Sequence, residues 1–224
     1  MSSSGVNSSP RASLFVLAAP SGTGKTTLIQ RAFSGEWPDG GPPEFSVSHN
    51  TRDPRPGEVE GEHYYFVDEA EFQGMIAAGE FLEWAQVHGQ LKGTSGNEVE
   101  GRLEAGVDVL LDIDVQGVES VLAVRPDACS ILIVPPSFDE LKRRILDRGH
   151  DSSGDVTRRL SVSLCEIERY ALFDYVIIND DAERAGRQLI AIIVAWRSRL
   201  ARRLHRIEMI LEDFHRALEP GERR

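Results

Sequence analysis

The sequence predicts an α/β fold: a parallel sheet core carrying a P-loop (a glycine-rich phosphate-binding loop), interrupted by an inserted subdomain and a lid. Three observations predict it. Short runs rich in branched residues, Leu14 to Ala18, Val107 to Ile113, Ser130 to Val134 and Tyr175 to Ile178, alternate with stretches of helical periodicity, the pattern of buried parallel strands and their crossover helices. The first run passes directly into Ala19-Pro20-Ser21-Gly22-Thr23-Gly24-Lys25-Thr26 and then into a helical stretch. A Gly/Pro-rich loop, Ser34 to Pro43, then separates this unit from a segment of different composition, Glu44 to Asn97.

Taken in order, residues 1–12 are Ser-rich and read as a disordered tail, and residues 13–218 as one domain. Its core spans 13–43, 98–135 and 161–181, the inserted subdomain 44–97, and the lid 136–160. Ser137 and Glu140 form a capping box ahead of Leu141 and Ile145. A further helix carries Val156, Leu160, Leu164 and Ile167 on one face. A helix is expected to fill 182–218, with Leu189, Ile193, Trp196, Leu200, Leu204, Ile207, Leu211 and Phe214 spaced three or four apart. The spacing slips once near Leu200, which argues against a regular coiled coil. That stripe either packs on a second subunit, making a homo-oligomer, or lies along its own domain.

Composition narrows the function classes. A chain of 224 residues with 41% apolar residues has enough material for a core. No apolar run approaches the roughly 18 residues of a membrane span. The tail lacks a basic start followed by an apolar stretch, so it does not read as a secretion signal, and a cytoplasmic location is expected. A net charge of −11 argues against broad nucleic-acid binding. Anions must therefore be bound locally, and of 25 basic residues only Lys25, Lys92 and Lys142 are lysines. Cys129 and Cys165 lack metal or redox spacing and are expected to be small core hydrophobes. The histidines show no metal-ligand spacing, and His49 and His63 are expected on the surface of the insert.

The glycine-rich loop carries the first chemistry. Its glycines let the backbone wrap so that N–H groups and a helix N-terminus face a phosphate, Lys25 supplies charge to the transferred group, and Thr26 would hold Mg²⁺. Ala19 stands in place of the usual first glycine. The loop by itself implies nucleotide phosphate binding and leaves the acceptor open.

The insert carries the next informative motifs. Ser46-Val47-Ser48-His49-Asn50-Thr51-Arg52-Asp53-Pro54-Arg55-Pro56-Gly57-Glu58-Val59-Glu60-Gly61 runs on to Tyr64-Tyr65-Phe66. Beyond it come Glu80-Phe81-Leu82-Glu83-Trp84, Gly93-Thr94-Ser95, Leu111-Asp112-Ile113-Asp114-Val115-Gln116-Gly117 and Asn179-Asp180-Asp181. With the phosphate-binding loop, this series resembles guanylate kinase from about Leu14 to Asp181. The resemblance implies transfer of the γ-phosphoryl group of ATP to GMP, with small-molecule nucleotides as partners and Mg²⁺ as cofactor. It implies that Ala19 to Thr26 and Asn179 bind ATP, and that Arg52, Arg55 and Tyr64 clamp the acceptor phosphate. Ser48, Glu83 and Thr94 would read guanine, whose N1–H and N2–H₂ suit a carboxylate and whose O6 suits a hydroxyl. Asp112 would support Mg²⁺, Asp114 would face the acceptor, and Arg144, Arg148 and Arg159 would be the lid arginines that stabilise the transferring group together with Lys25.

Two positions depart from the family pattern. Gln90-Leu91-Lys92 stands where a tyrosine of the phosphate clamp is usual, so Lys92 either holds the same phosphate or turns to solvent. Asn50 replaces a common Thr. Arg143 and Arg158 are assigned no role. No general base is required, because the acceptor phosphate is already an anion near neutral pH. Two rival readings remain: a same-fold kinase for another phosphorylated acceptor, and a non-catalytic guanylate-kinase-like binding module, which would typically have lost the loop lysine.

Overall fold

The chain was analysed as a computed structural model that describes residues 12–38, 40–87, 89–147 and 153–218. The elements run β1 (Leu14–Ala18), α1 (Lys25–Phe33), β2 (Glu44–Phe45), β3 (His49–Asn50), β4 (Tyr65–Phe66), α2 (Glu69–Ala77), β5 (Phe81–Val87), β6 (Gln90–Ser95) and α3 (Gly96–Glu104). They continue as β7 (Val109–Ile113), α4 (Val115–Val124), β8 (Cys129–Val134), α5 (Phe138–Asp147), α6 (Ser153–Glu168), β9 (Tyr175–Ile178), α7 (Ala182–Arg197) and α8 (Leu200–Leu218). Strands β2-β7-β1-β8-β9 form one sheet in that order, and every pairing in it is parallel.

Every side chain of β1 is buried, as near-continuous apolar runs demand when both faces of a sheet are covered. Alternation divides them between two layers. Phe15 and Leu17 pack with Leu28 of α1 and Leu189, Ile193 and Trp196 of α7. Leu14 and Val16 pack on the other face with Val99 of α3 and Val118 and Val121 of α4. The parallel register sets Leu17 beside Asp112 and Ala18 beside Ile113, so the loop after β1 emerges next to Asp112 and Asp114.

Strands β4-β3-β6-β5 form a second sheet. The expected insert begins slightly late: Glu44 and Phe45 pair with β7 at the edge of the main sheet, because Glu44 N donates to Asp108 O at 2.8 Å and Ser46 N to Leu110 O at 3.1 Å. Phe72 of α2 stacks on Phe81 at 4.4 Å, giving the small sheet its own apolar support. His49 belongs to that packing and is not a surface residue, lying 4.9 Å from the Tyr65 ring and 5.7 Å from Phe81. Burial holds its imidazole below the ordinary range. His63 is exposed, as expected.

Three further expectations are corrected. The C-terminal helix is two helices, broken at Ser198 and Arg199. Ser198 Oγ donates back to Val194 O at 3.0 Å, a bond that bends helices, and its N–H closes the last turn of α7. Cys129 is buried in β8, but Cys165 is exposed on α6. The capping box is half made: Ser137 Oγ accepts from Glu140 N at 3.2 Å, while the Glu140 carboxylate turns to Arg143 and Arg144. The lid helices α5 and α6 share a small core of Leu141, Ile145 and Val156, and α6 continues past residue 160 to Glu168.

Asp108 ties the lower edge of the sheet to the end of α7. Its carboxylate accepts from Ser13 N at 2.5 Å and from Arg197 Nε at 2.7 Å, and Arg197 also donates to Gly41 O at 2.8 Å. Both side chains of the pair are largely buried. Asp108→Ala takes the shared acceptor from both Ser13 N and Arg197 Nε, so it is expected to destabilise the protein by about 1–3 kcal/mol. Urea unfolding should show the loss as a lower midpoint at unchanged slope.

Candidate active site

The loop after β1 is shaped by hydrogen bonds from the lid and from the end of β9. Thr23 Oγ1 donates to Pro20 O at 2.6 Å, closing the turn from within. Asn179 Nδ2 and Arg144 Nη1 donate to Thr23 O at 2.7 and 2.8 Å. Arg144 Nη2 reaches Asn179 O at 3.0 Å, and its Nε reaches Glu140 Oε1 at 2.7 Å. Gly24 has φ +90, and a Cβ there would lie 2.8 Å from Asn179 Nδ2. Only glycine both adopts this backbone and admits the asparagine. Arg159 Nη2 donates to Ser21 Oγ at 2.8 Å, so two of the three candidate lid arginines touch the loop. Arg148 lies outside the described residues.

A cleft of about 360 Å³ opens in front of this loop. Residues Ala19 to Thr26 form one wall, Glu83, Ala85 and Lys92 of the insert the facing wall, and Asp112, Ile113 and Asp114 the floor. Lys25 Nζ forms an ion pair with Asp112 and reaches Ile113 O at 3.4 Å. Asp112 Oδ1 accepts no well-aligned hydrogen bond, so this is a Coulomb contact that a phosphate or a cation can replace. Asp112 is the penultimate residue of β7, whereas Asp114 has left the strand and caps α4, its Oδ1 accepting from Gly117 N at 2.9 Å.

On the insert side, Glu83 is 6% exposed. Thr94, its partner across β5 and β6, donates through Oγ1 to Glu83 Oε1 at 2.6 Å. Burial raises the Glu83 carboxyl above its ordinary range, against the opposing effects of the Thr94 bond and the Lys92 charge. Ser48 is buried just before β3. Tyr64 lies between two cations, with Arg52 Cζ 5.0 Å and Lys92 Nζ 5.6 Å from its ring centroid. Lys92 also reaches Asp112 O at 3.4 Å and so points into the cleft rather than to solvent. The fork of Arg52 is held by Glu58 at 2.5 and 2.6 Å, and the same carboxylate accepts from Arg55 N at 2.7 Å. Those bonds pull the Glu58 carboxyl down to about 2. The Arg55 side chain is exposed beside it.

Among the described residues, no three carboxylate, histidine or cysteine side chains converge as a metal cage. The site instead offers the Thr26 hydroxyl and the Asp112 carboxylate, hard oxygen donors lining one cleft. That sparse set fits Mg²⁺, which keeps most of its waters and takes further oxygens from substrate phosphates.

Two residues of the site had no assigned role in the sequence. Glu166 of α6 lines the cleft with Oε2 buried and unpartnered. Burial and the Asp114 charge raise its carboxyl to about 6, with Lys25 opposing. Its position in a helix otherwise read as an apolar stripe concealed it. Gly117 makes room for Glu83: a Cβ at Gly117 would lie 2.8 Å from Glu83 Oε2. Its place in the Asp112-Ile113-Asp114 motif was the available signal.

Comparison with known proteins agrees with this geometry. The guanylate kinase family profile matches residues 11–195. A guanylate kinase of Chromobacterium violaceum is 46% identical over 198 residues, covering 88% of this chain and 92% of that protein. One from Dechloromonas aromatica is 48% identical over 182 residues, covering 81% and 88%. The crystal structure of guanylate kinase from Anaplasma phagocytophilum superposes with a TM-score of 0.66 at 32% identity, covering 86% of this chain and 90% of that one. With a phosphate-binding loop facing a buried carboxylate across one cleft, and with matches of this extent, the chain belongs to the guanylate kinase family.

Proposed function

We propose that this cleft transfers the γ-phosphoryl group of ATP to GMP or dGMP, giving ADP and GDP or dGDP. The observation that carries the reading is Glu83, a buried carboxylate fixed by Thr94 and facing the phosphate-binding loop. Guanine supplies the adjacent N1–H and N2–H₂ donors that such a carboxylate lacks, with Ser48 and Thr94 as hydroxyl partners. Adenine has no N1–H and would strand the charge, at a cost that a closed site makes large.

The acceptor phosphate would be held by Arg52, Arg55, Tyr64 and Lys92. Arginine forks suit its planar oxygen pairs, and Lys92 adds a full charge where the family's tyrosine adds only a hydroxyl. On the donor side, the backbone N–H groups of the loop from Ser21 to Thr26 at the start of α1 cradle the phosphates. Lys25 exchanges Asp112 for phosphate oxygens. Arg144 and Asn179 keep the loop in shape through Thr23 O, and Arg159 brings charge to its rim at Ser21. Mg²⁺ on Thr26 and Asp112 would neutralise phosphate charge. An acceptor phosphate oxygen then bonds to the γ-phosphorus as the bond to the ADP oxygen breaks, so the residues need only position and neutralise. Arg148 belongs to the same proposal by its place in the lid sequence, and Asp114 by its place on the cleft floor.

The test is ADP release with ATP, Mg²⁺ and each nucleoside monophosphate in turn, on wild type and Lys92→Tyr. GMP and dGMP should accelerate release, with AMP lower by at least ~10³-fold in kcat/KM. Lys92→Tyr should change the KM for GMP by less than ~10-fold, since both side chains donate to a phosphate. Silence with GMP in both proteins would overturn the reading.

Gly117→Ala should push the Glu83 carboxylate off Thr94 while leaving the fold intact. The KM for GMP is expected to rise about 10-fold, the equivalent of one lost hydrogen bond, with the KM for ATP unchanged.

Glu166 gives a pH signature. Its folded value of about 6 lies above the ordinary 4.5, so ionisation costs native stability. That cost is fully present above about pH 6 and vanishes as pH falls through 4.5. Glu166→Gln should therefore stabilise the protein near pH 8 by about 1 kcal/mol after solvent screening, or roughly 2–4 °C in Tm. The gain should disappear near pH 4.5, and thermal melts across that range check it.

A further inference from the structure

A second cleft, of about 480 Å³, lies at the end of the main sheet away from the phosphate-binding loop. Ser13, which leads into β1, and Asp108, which leads into β7, both line it. The five residues of β1, about 16 Å of strand, separate it from the site already described. Its other wall is basic, with Arg197 at the end of α7 and Arg202, Arg203, His205 and Arg206 in the first two turns of α8. That is also the positive end of the α8 dipole.

The charges around this cleft do not balance. Among the described residues it has two carboxylates, and both are already matched. Asp108 accepts from Ser13 N and Arg197 Nε, and Glu44 lies 3.7 Å from Arg102. Arg202 is spent on Ala12 O and Asp127. Arg203 gives only Nε, to Arg197 O at 3.1 Å, a bond that holds its side chain against α7. Neither the outer nitrogens of Arg203 nor any nitrogen of Arg206 meets an acceptor among the described residues. Other helical arginines follow a different rule: Arg102, Arg143, Arg144, Arg184 and Arg187 each pair with a carboxylate three or four residues away. Arg203 and Arg206 have no acid at either spacing, and Arg206 instead stands one turn from both Arg202 and Arg203. Like charges so placed weaken a helix, and an anion held between them offsets that cost.

We propose that this cleft is a second anion site, taking a small phosphate ester whose phosphate lies between the forks of Arg203 and Arg206. Two forks on one helical turn offer donors to more than two oxygens, which a phosphate has and a carboxylate lacks. The volume admits the organic part of a nucleotide-sized molecule. The net charge of −11 turns away a nucleic-acid strand but not a small ligand inside a basic cleft. The site is independent of the kinase reading, and its failure would leave that reading untouched.

The test is titration calorimetry on the full chain carrying Lys25→Ala, which weakens the phosphate-binding loop, with ribose 5-phosphate and inorganic phosphate as probes at low salt. Ribose 5-phosphate should bind with a dissociation constant below ~1 mM, at least as tightly as inorganic phosphate, and more weakly as salt is added. Arg206→Glu, a change at an exposed residue, should raise that constant ~10-fold or more, and Arg203→Glu with Arg206→Glu should abolish binding. With Lys25 intact, Arg206→Glu should leave Tm and GMP-dependent ADP release unchanged. Binding absent up to about 10 mM, binding indifferent to Arg206→Glu, inorganic phosphate bound ~10-fold more tightly than the ester, or single-stranded RNA bound in place of both would overturn the proposal.

Discussion

The site depends on one buried charge. Glu83 sits at the seam between the inserted sheet and the core, almost without solvent, and everything near it is arranged around its carboxylate. Thr94 donates to one oxygen, and Gly117 of α4 withholds a side chain so that the other has room. Gly93 does the same for the strand behind it, since a Cβ there would meet Phe81, Glu83 O and Trp84 at 2.9–3.0 Å. A buried carboxylate with one hydrogen bond is costly until a ligand brings more donors. Under the proposed function guanine would be such a ligand, and the cost borne by the empty site would become selectivity in the filled one.

The cations around the cleft apply the opposite economy. Several are already partnered, Lys25 with Asp112 and Arg144 with Glu140 beside the loop, and Arg52 with Glu58 in the insert. These pairs keep an acidic protein's few clustered cations in position without leaving them uncompensated, and phosphate oxygens present the same geometry as the carboxylates they replace. Arg144, expected from its sequence position to act on the transferring group, donates here to Thr23 O, Asn179 O and Glu140, and so contacts the loop directly.

Much of the candidate site was legible in the chain because phosphate chemistry constrains local sequence. A turn of backbone N–H groups requires glycines at set intervals, so Gly22, Gly24 and Lys25 announce themselves. Strand cores announce themselves through continuous branched runs, and β1 and β9 fall where those runs predict. Glu166 and Gly117 were harder to see, since one is a single acidic residue on an amphipathic helix and the other acts through what it lacks. His49 and Cys165 were misplaced because neighbours in the chain do not reveal which face of an element a tertiary partner covers.

The sequence alone thus determined the α/β order of elements, the phosphate-binding loop and the set of candidate residues proposed for guanine and its phosphate. These depend on periodicity and local backbone geometry, which are written within a few residues of each other. Tertiary structure decided which charges pair, that Lys92 turns into the cleft beside Tyr64 and Asp112, and that the apolar stripe breaks into a packed α7 and an uncovered α8. The turn of Lys92 and the anchoring of the start of α8 rest on contacts between residues 20 to 190 positions apart, and no local pattern encodes a distance of that kind.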